Sequence, residues 1–424
     1  MKIFSDIHIH SRYSRATSKE ITIRNLVKYA RIKGLNLMGT GDFTHPLWIK
    51  ELRESLNDDG SGILKDDSDF GFVLQGEISN IYSQGGKLRR IHNVILAPGF
   101  DVAEQINEFL GKKGKLASDG RPIFGSMTCI ELVESLMGIS PDVMVIPAHI
   151  WTPWFSLFGS KSGFDSIEEC FGDQTKHIHA LETGLSSDPA MNWRLSALDK
   201  YSLVSNSDSH SFWPWRIGRE ANIMELPELT YRSFTDVLKK RGEGKFLYTI
   251  EVDPSYGKYH FDGHRNCGVV LDPKESMKNR GLCPKCGRPL TIGVLNRVEE
   301  LADREEGFKP DGAVPFKSII PLSEIISHSM GINQLYSKKV WGVYTKLVDG
   351  IGSEFAVLLD ASLEQLKQHT DDKIAEAIVN VRDGKIKIMP GYDGEYGYPV
   401  FGEEVKKEPV QVGGDRQKSL MDFG

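Results

Sequence analysis

Histidines and carboxylates occur at six points in the first half of this sequence, each directly after an apolar run. The segments are Asp6-Ile7-His8-Ile9-His10, Gly41-Asp42-Phe43-Thr44-His45, Gly76-Glu77, Ile91-His92, Pro147-Ala148-His149 and Ser207-Asp208-Ser209-His210. Mixed imidazole and carboxylate ligands are typical of zinc, manganese and iron sites. One such segment is common by chance, whereas six in succession indicate a hydrolase with more than one metal ion.

The spacing of these residues suits a strand. His8 and His10 are two residues apart, and side chains of a β-strand alternate, so both rings point the same way and can bind one ion. Asp208 and His210 repeat this spacing. Glu77 has two carboxylate oxygens and can bridge two ions.

His92 and His149 complete a second candidate site. For Asp42 and His45, the sequence leaves metal coordination and a structural role equally open. The alternative for the whole set is a scatter of polar core and surface residues. The position of each member at a predicted strand end argues against that alternative.

About seven strands alternate with helices in the first ~250 residues, which predicts βα units around a parallel sheet. Residues 22–33 have near-helical apolar spacing, with Gly34 at the C-cap position. Ligand-like residues at most strand ends favour a closed barrel over an open doubly wound sheet, which binds ligands near one switch point. The predicted strands are residues 2–8, 35–41, 72–77, 92–96, 143–148, 179–182 and 203–207.

A second metal site is indicated beyond residue 250. His264, Cys267, Cys283 and Cys286 follow the pattern H-x2-C-x15-C-x2-C. Four such ligands leave no open coordination position, which is typical of a structural zinc. His260 is an alternative for the histidine ligand. Cys129 and Cys170 lack such partners and are expected to be buried thiols.

The chain is accordingly divided into four parts. We expect a metallohydrolase barrel in residues 1–250 and a zinc-binding module in residues 251–295. A mainly helical domain follows in residues 296–405, with predicted helices at 292–306, 322–330, 354–359, 363–369 and 373–381 and a strand at 385–389. Residues 406–424 are expected to form a flexible tail.

Bulk properties exclude some classes of protein. The 424 residues carry a net charge of −6, so global charge gives no argument for nucleic-acid binding. No apolar run reaches the ~18 residues of a membrane helix, and no signal peptide is recognised, so we expect a cytoplasmic protein without membrane contact. Local basic clusters are either solvated surface or parts of a phosphate-binding groove: Lys87 with Arg89 and Arg90, residues 112–115 and residues 239–241.

Two segments near the predicted site are rich in aromatic residues. They can pack beneath the barrel mouth, or stack against a base flipped out of a duplex. The residues are Trp151, Trp154, Phe155 and Phe158 in the first segment, and Phe212, Trp213 and Trp215 in the second.

The order HxH, Gly-Asp, Gly-Glu, His, Ala-His and Asp-x-His resembles the PHP (polymerase and histidinol phosphatase) family. The resemblance implies an α/β fold, a distorted seven-stranded βα barrel with two or three divalent ions (zinc, manganese, magnesium or iron) that hydrolyses phosphoesters. Many relatives have another histidine soon after HxH, whereas residues 11–15 contain none. The implied ligands are His8, His10, Glu77 and Asp208 for one ion, Glu77, His92 and His149 for a second, and Asp42 or His45 with His210 for a third.

The run at residues 148–154, the Ser-Asp-Ser-His segment and the Cys3His cluster together resemble the archaeal endonuclease Q family of DNA repair enzymes. Members nick DNA on the 5′ side of deaminated bases (uracil, hypoxanthine, xanthine) and at abasic sites. The resemblance implies damaged DNA as substrate, with Glu77 and Asp208 central to catalysis. Two ions bridged by Glu77 would lower the pKa of a shared water and offset charge on the phosphate.

Two other functions remain open. One is a PHP phosphatase acting on a small phosphomonoester, and the other is a metal-stabilised binding module. A zinc module and a further helical domain exceed what a small substrate requires, and the complete ligand set argues against a module without catalysis. The sequence therefore favours the endonuclease.

The tail contains a short motif that predicts a protein partner. Residues 417–423 fit Q-x-x-Φ-x-x-F, which resembles the peptide by which replication and repair proteins bind the ring-shaped sliding clamp. The resemblance implies contacts from Gln417, Leu420 and Phe423. The alternative is an unstructured end with two exposed apolar residues.

Overall fold

The computed structural model describes residues 1–401. Strands β1 to β16 span Lys2–Asp6, Leu37–Gly39, Leu64–Lys65, Gly71–Gln84, Lys87–Ala97, Ile123–Phe124, Met144–Pro147, Ala180–Glu182, Ser202–Val204, Ala221–Glu225, Lys245–Glu251, Asp262–His264, Val269–Leu271, Phe316–Ser318, Lys387–Met389 and Tyr398–Val400. Helices α1 to α13 span Ile23–Lys33, Pro46–Ser55, Phe100–Lys113, Cys129–Ile139, Ile167–Phe171, Pro189–Asn192, Tyr231–Leu238, Pro273–Lys278, Val294–Leu301, Leu322–Met330, Lys338–Ile351, Leu363–His369 and Asp372–Arg382.

The seven predicted strands form a curled, distorted barrel, which confirms the predicted fold class. Strands β1, β2, β4, β5 and β7 are hydrogen-bonded in that order, and β8 and β9 form a separate parallel pair. An isolated parallel bridge between Val145 and Ile178 connects β7 with the start of β8. A second, between Ile9 and Ser209, leads from the end of β9 back to the end of β1.

The expectation of a wholly parallel barrel is wrong at one place. Strand β5 runs antiparallel to both β4 and β7. Gly85 and Gly86 form the two-residue turn between β4 and β5, with φ of 61° and 72°, the backbone that favours a tight hairpin. Glu77 and His92 therefore lie within long strands rather than at strand ends.

Strands outside the barrel ring extend its sheet on the other side of β1. Strand β10 pairs antiparallel with β1, β11 antiparallel with β10, and β14 parallel with β11. These strands were not predicted. Strand β14 lies in the range expected to be helical, and it returns the chain to the barrel sheet after residues 251–295.

Helix α1 shows how local sequence sets the element bounds. The Thr22 hydroxyl accepts a hydrogen bond from the Asn25 N–H (3.2 Å), which caps the helix start. Gly34 has φ 103° and donates its N–H to the carbonyls of Ala30 and Arg31, so the helix ends where the sequence predicted. Among the helices of residues 1–401, none is both long and apolar enough to cross a bilayer.

A buried ion pair joins the barrel to the C-terminal helices α10 to α13. Lys33, the last residue of α1, is fully buried. Its Nζ donates to Glu354 Oε1 and to the Pro214 carbonyl, each at 2.8 Å. Glu354 also accepts from the Leu322 N–H (3.0 Å) and the Tyr344 hydroxyl (2.7 Å). One carboxylate thus fixes α1 against α10 and α11.

We predict that Lys33→Met lowers the free energy of unfolding by about 3–5 kcal/mol, because it leaves the Glu354 carboxylate buried without its cation. Urea denaturation measures the change. Lys28→Met, at an exposed position of the same helix, is the matched control and should have little effect. A loss at Lys33 no larger than at Lys28 would show that the ion pair does not hold the two parts together.

Residues 251–295, the predicted zinc-binding module, have little apolar core of their own. Its buried cluster comprises Val269, Cys283 and Leu290. Beside it, ligand atoms of His264, Cys267, Cys283 and Cys286 all lie within 4.8 Å of one another. Desolvation opposes ionisation of Cys283, but the backbone N–H groups of Cys286 and Lys285 lower its pKa to about 6. A thiolate at neutral pH is the form that binds metal.

We predict that Cys286→Ser removes one zinc equivalent per chain and lowers the melting temperature, because metal binding contributes directly to folding of so small a core. Elemental analysis and thermal unfolding measure both effects. Cys286 is exposed, so the substitution itself disturbs little packing. Lys274→Ser, at an exposed position of α8, is the control, and unchanged zinc content in the Cys286 variant would refute the assignment.

Candidate metal centre

Seven of the nine predicted ligands come together at one end of the barrel. They form three groups, and within each group the ligand atoms lie within 4.8 Å of one another. Glu77 and His10 each belong to two groups, so the three make one continuous cluster. The groups are His8 with His10 and Glu77, Glu77 with His92 and His149, and His10 with Asp208 and His210.

Glu77 lies between two of these groups and is fully buried. Its Oε1 is 2.8 Å from His92 Nδ1 and 3.3 Å from His149 Nε2. Its Oε2 is 3.4 Å from His10 Nε2 and accepts a hydrogen bond from Arg121 Nη1 (2.9 Å). Burial raises the pKa of Glu77, but His92 and Arg121 outweigh it and hold the pKa well below its usual value. Oε1 thus faces His92, His149 and His8, and Oε2 faces His10, so the charged carboxylate lies between the two groups.

His8 provides a test of whether these residues fit a cation. Its Nε2 is buried and makes no hydrogen bond within the described chain. That nitrogen faces Glu77 Oε1 at 3.8 Å and Asp208 Oδ1 at 3.7 Å, while Nδ1 faces Glu182. A buried ring nitrogen aimed between two carboxylates is costly unless a partner satisfies it. The donor set of imidazoles and carboxylates fits divalent metal ions.

The protonation states of the histidines differ across the cluster. Burial lowers the pKa of His92 to about 3, despite the nearby Glu77 carboxylate. Burial and the neighbouring His10 lower the pKa of His210 to about 4. Burial also opposes protonation of His8, but Glu182 and Asp208 raise its pKa to about 9. A cation binding at neutral pH would therefore displace a proton from His8 and would meet neutral rings at His92 and His210.

Asp42 and His45 lie outside these groups. Asp42 Oδ1 is 3.0 Å from His10 Nδ1, and Oδ2 accepts the Ser11 N–H at 2.6 Å. His45 caps α2 by accepting the Leu47 N–H (3.3 Å), and its ring stacks on Tyr13 at 4.4 Å. In this geometry Asp42 orients the candidate ligand His10, and His45 caps the start of helix α2.

Glu182 and Arg121 contribute to the centre but were not singled out in the sequence. The two oxygens of Glu182 are 2.9 Å and 3.1 Å from His8 Nδ1. Its Oε2 accepts the His149 backbone N–H (2.8 Å), and its Oε1 accepts from Asn206 (2.9 Å). A carboxylate at the end of a predicted apolar strand was the available signal for Glu182. Arg121 follows no periodic segment, and only the tertiary fold brings it to Glu77.

Several residues of the centre lie on strained turns that follow strands. Asp42, His149 and Asp208 have φ of 39°, 31° and 46°, a conformation that non-glycine residues adopt rarely. Gly184 packs against one of these turns, and a Cβ there would lie 2.5 Å from the His149 Cβ. Such outliers concentrate at functional sites, where the surrounding structure maintains them.

The aromatic residues divide into buried and accessible sets. Trp151 and Phe158 are core residues, and the Trp151 indole N–H donates to Asn192 (2.8 Å). In the second segment, Trp213 and Trp215 stack on each other and contact Trp341 of α11. Packing therefore accounts for these four. In the first segment Trp154 and Phe155 are partly exposed, and the Phe155 ring centroid lies 4.8 Å from that of His92.

Comparison with known proteins identifies relatives along nearly the whole chain. Residues 321–385 match the family described as MJ0043 C-terminal domain. The uncharacterized protein MJ0043 of Methanocaldococcus jannaschii is 34% identical over 279 residues, which cover 65% of this chain but only 33% of that protein. The uncharacterized protein YqxK of Bacillus subtilis is 30% identical over 417 residues, covering 93% of this chain and 98% of YqxK.

Two solved structures match at the level of the complete fold. The crystal structure of the lesion-specific endonuclease PfuEndoQ from Pyrococcus furiosus superimposes with a TM-score of 0.85 and 32% identity, covering 97% of this chain and 98% of that one. A structure of endonuclease Q with a 27-mer duplex that has an abasic lesion at the active site gives a TM-score of 0.84 and 32% identity over 97% and 99% of the chains. With this identity along nearly the full length of both proteins, the chain belongs to the endonuclease Q family.

Proposed function

We propose that this protein is a metal-dependent DNA repair endonuclease. It hydrolyses the phosphodiester on the 5′ side of deaminated bases (uracil, hypoxanthine or xanthine) or abasic sites. The observation that carries the proposal is the cluster of imidazoles and carboxylates around Glu77, in a chain that matches endonuclease Q over 97% of its length. The related structure with an abasic lesion at its active site supports damaged DNA as the substrate class.

The residues of the cluster divide between candidate ion sites. Divalent ions, when bound, supply Lewis acidity that lowers the pKa of a water and offsets charge on the phosphate. Glu77 keeps its negative charge between the sites because Arg121 and His92 stabilise it. We assign His8, His10, Glu77 and Asp208 to the first site, Glu77, His92 and His149 to the second, and His210 with His10 and Asp208 to a third.

Asp208 marks the side from which a substrate approaches. Its side chain is 29% exposed, whereas those of Glu77 and His8 are fully buried. Its Oδ1 still lies 3.0 Å from His10 Nε2, so one residue contacts both the buried cluster and solvent. A phosphodiester entering from solvent therefore meets the Asp208 side of the centre first.

We predict that Glu77→Gln and Asp208→Asn each reduce nicking of a uracil-containing duplex to background, because each removes a charged ligand while preserving shape. Glutamine is chosen at position 77 because alanine would leave the buried Arg121 without a partner. The assay contains manganese and compares the uracil-containing duplex, an undamaged duplex and p-nitrophenyl phosphate.

Glu104→Gln, at an exposed position of α3, is the control and should nick normally. Near-normal nicking by either site variant, with unchanged metal content, would overturn the assignment of the centre. Hydrolysis of p-nitrophenyl phosphate by the parent protein without any nicking of DNA would instead favour a phosphomonoesterase.

We also propose that residues 417–423, which lie outside the described residues, bind the sliding clamp through Gln417, Leu420 and Phe423. Tethering to the clamp would raise the effective concentration of the enzyme on DNA without altering its catalytic centre. The motif and its two apolar residues at the required spacing support this proposal.

Titration of the cognate clamp against the full chain and a variant ending at Arg416 tests the tail. We predict at least about tenfold weaker binding by the shortened chain, since its apolar contacts are removed. Leu420→Ala with Phe423→Ala should reproduce the loss, while Lys418→Ala with Ser419→Ala should not. Equal clamp affinity of the full and shortened chains would rule the motif out.

A further inference from the structure

A row of accessible rings continues from the metal centre to the zinc-binding module. Phe155 lies 4.8 Å from His92, and Trp154 precedes it in the chain. The Trp154 ring meets that of Tyr259 edge-on at 6.1 Å. The neighbouring Lys258 places its Nζ 4.9 Å from the ring of Tyr396, which is 59% exposed. We call Phe155, Trp154, Tyr259 and Tyr396 the ring track.

Two cations flank the ring track. The guanidinium of Arg90 lies 5.4 Å from the Phe155 ring centroid. Arg90 and His92 are two residues apart on β5, so their side chains lie on the same face of the strand. Lys258 lies beside Tyr396, at the far end of the ring track. In the described part of the chain, neither cation forms a salt bridge with a carboxylate, so both charges are available to an anion.

The backbone holds the start of the ring track in place. Phe155 has φ 60°, a strained conformation for a bulky residue. Its carbonyl accepts the His92 backbone N–H at 3.2 Å. The strand that presents a candidate metal ligand therefore also fixes the first ring, so the distance between the cluster and the track is set by the fold.

We infer that the ring track binds an unpaired stretch of the DNA strand that is cut, an inference that rests on the proposed function. Aromatic rings stack on bases of any sequence, and interleaved cations contact the phosphates between them. Stacking of this kind requires bases that are not engaged in a duplex. Because the ring track begins at Phe155, 4.8 Å from His92, we expect the strand it binds to be continuous with the one at the metal centre.

Fluorescence anisotropy with the metal-loaded full chain tests the inference. The probe is a strand of roughly 16 nucleotides with one uracil and a phosphorothioate at the scissile linkage, used single-stranded and annealed to its complement. We expect Trp154→Ala and Tyr396→Ala each to weaken single-strand binding about tenfold, with a smaller effect on the duplex. Arg90→Gln should reduce the salt dependence of single-strand binding, as expected for loss of one phosphate contact.

Tyr336→Ala is the matched control, since Tyr336 is 51% exposed but lies on the C-terminal helical part. Single-strand affinities of the Trp154 and Tyr396 variants equal to that of the control would overturn the inference, as would equal losses for strand and duplex. Tyr396 is exposed, so its variant tests the track even if replacing Trp154 disturbs folding. A parent protein that binds the single strand through these rings but never nicks DNA would refute the proposed function and leave the track intact.

Discussion

The carboxylate of Glu182 has no access to solvent, so the groups that surround it must stabilise its negative charge. Those groups are the His8 ring, the His149 backbone N–H and the Asn206 amide. They come from the segments that follow β1, β7 and β9. A buried charge without such partners is strongly destabilising. The same hydrogen bonds therefore stabilise the closed barrel and orient two candidate metal ligands, His8 and His149.

Helix α9 extends this organisation beyond the barrel. At its start, the Val294 N–H donates to the Tyr259 carbonyl (2.7 Å). One turn later, Arg297 donates to the carbonyls of Phe158 (3.1 Å) and Phe164 (3.2 Å) and pairs with Asp165. One short helix thus holds the aromatic loop and the start of the predicted zinc-binding module together. This helix thereby fixes Tyr259 relative to the loop that carries Trp154 and Phe155, while β5 fixes Phe155 relative to His92.

The sequence predicted the parts of the fold that local chemistry determines. Helix α1 ends at Gly34, whose left-handed backbone favours glycine. All seven grouped ligands meet as predicted, five of them after strand ends, whereas Glu77 and His92 lie within strands. The antiparallel direction of β5 was not predicted, because an apolar run does not show whether a strand is parallel or antiparallel to its neighbours. The Gly85-Gly86 pair was the available hairpin signal. Helix α11 was also missed, although its buried positions have helical spacing. The role of Arg121 depends on a contact across 44 positions of the sequence, which no local pattern can predict.

The glycine turn between β4 and β5 limits which insertions and deletions the cluster of ligands can tolerate. Gln84 pairs with Lys87 beside the turn, and the same register sets Ser79 opposite His92 and Glu77 opposite Val94. Side chains of a strand alternate between its faces, so a slip of one residue would turn every side chain of that strand to the opposite face. A single insertion or deletion that shifts this register would therefore remove Glu77 or His92 from the cluster, even though neither residue had been replaced.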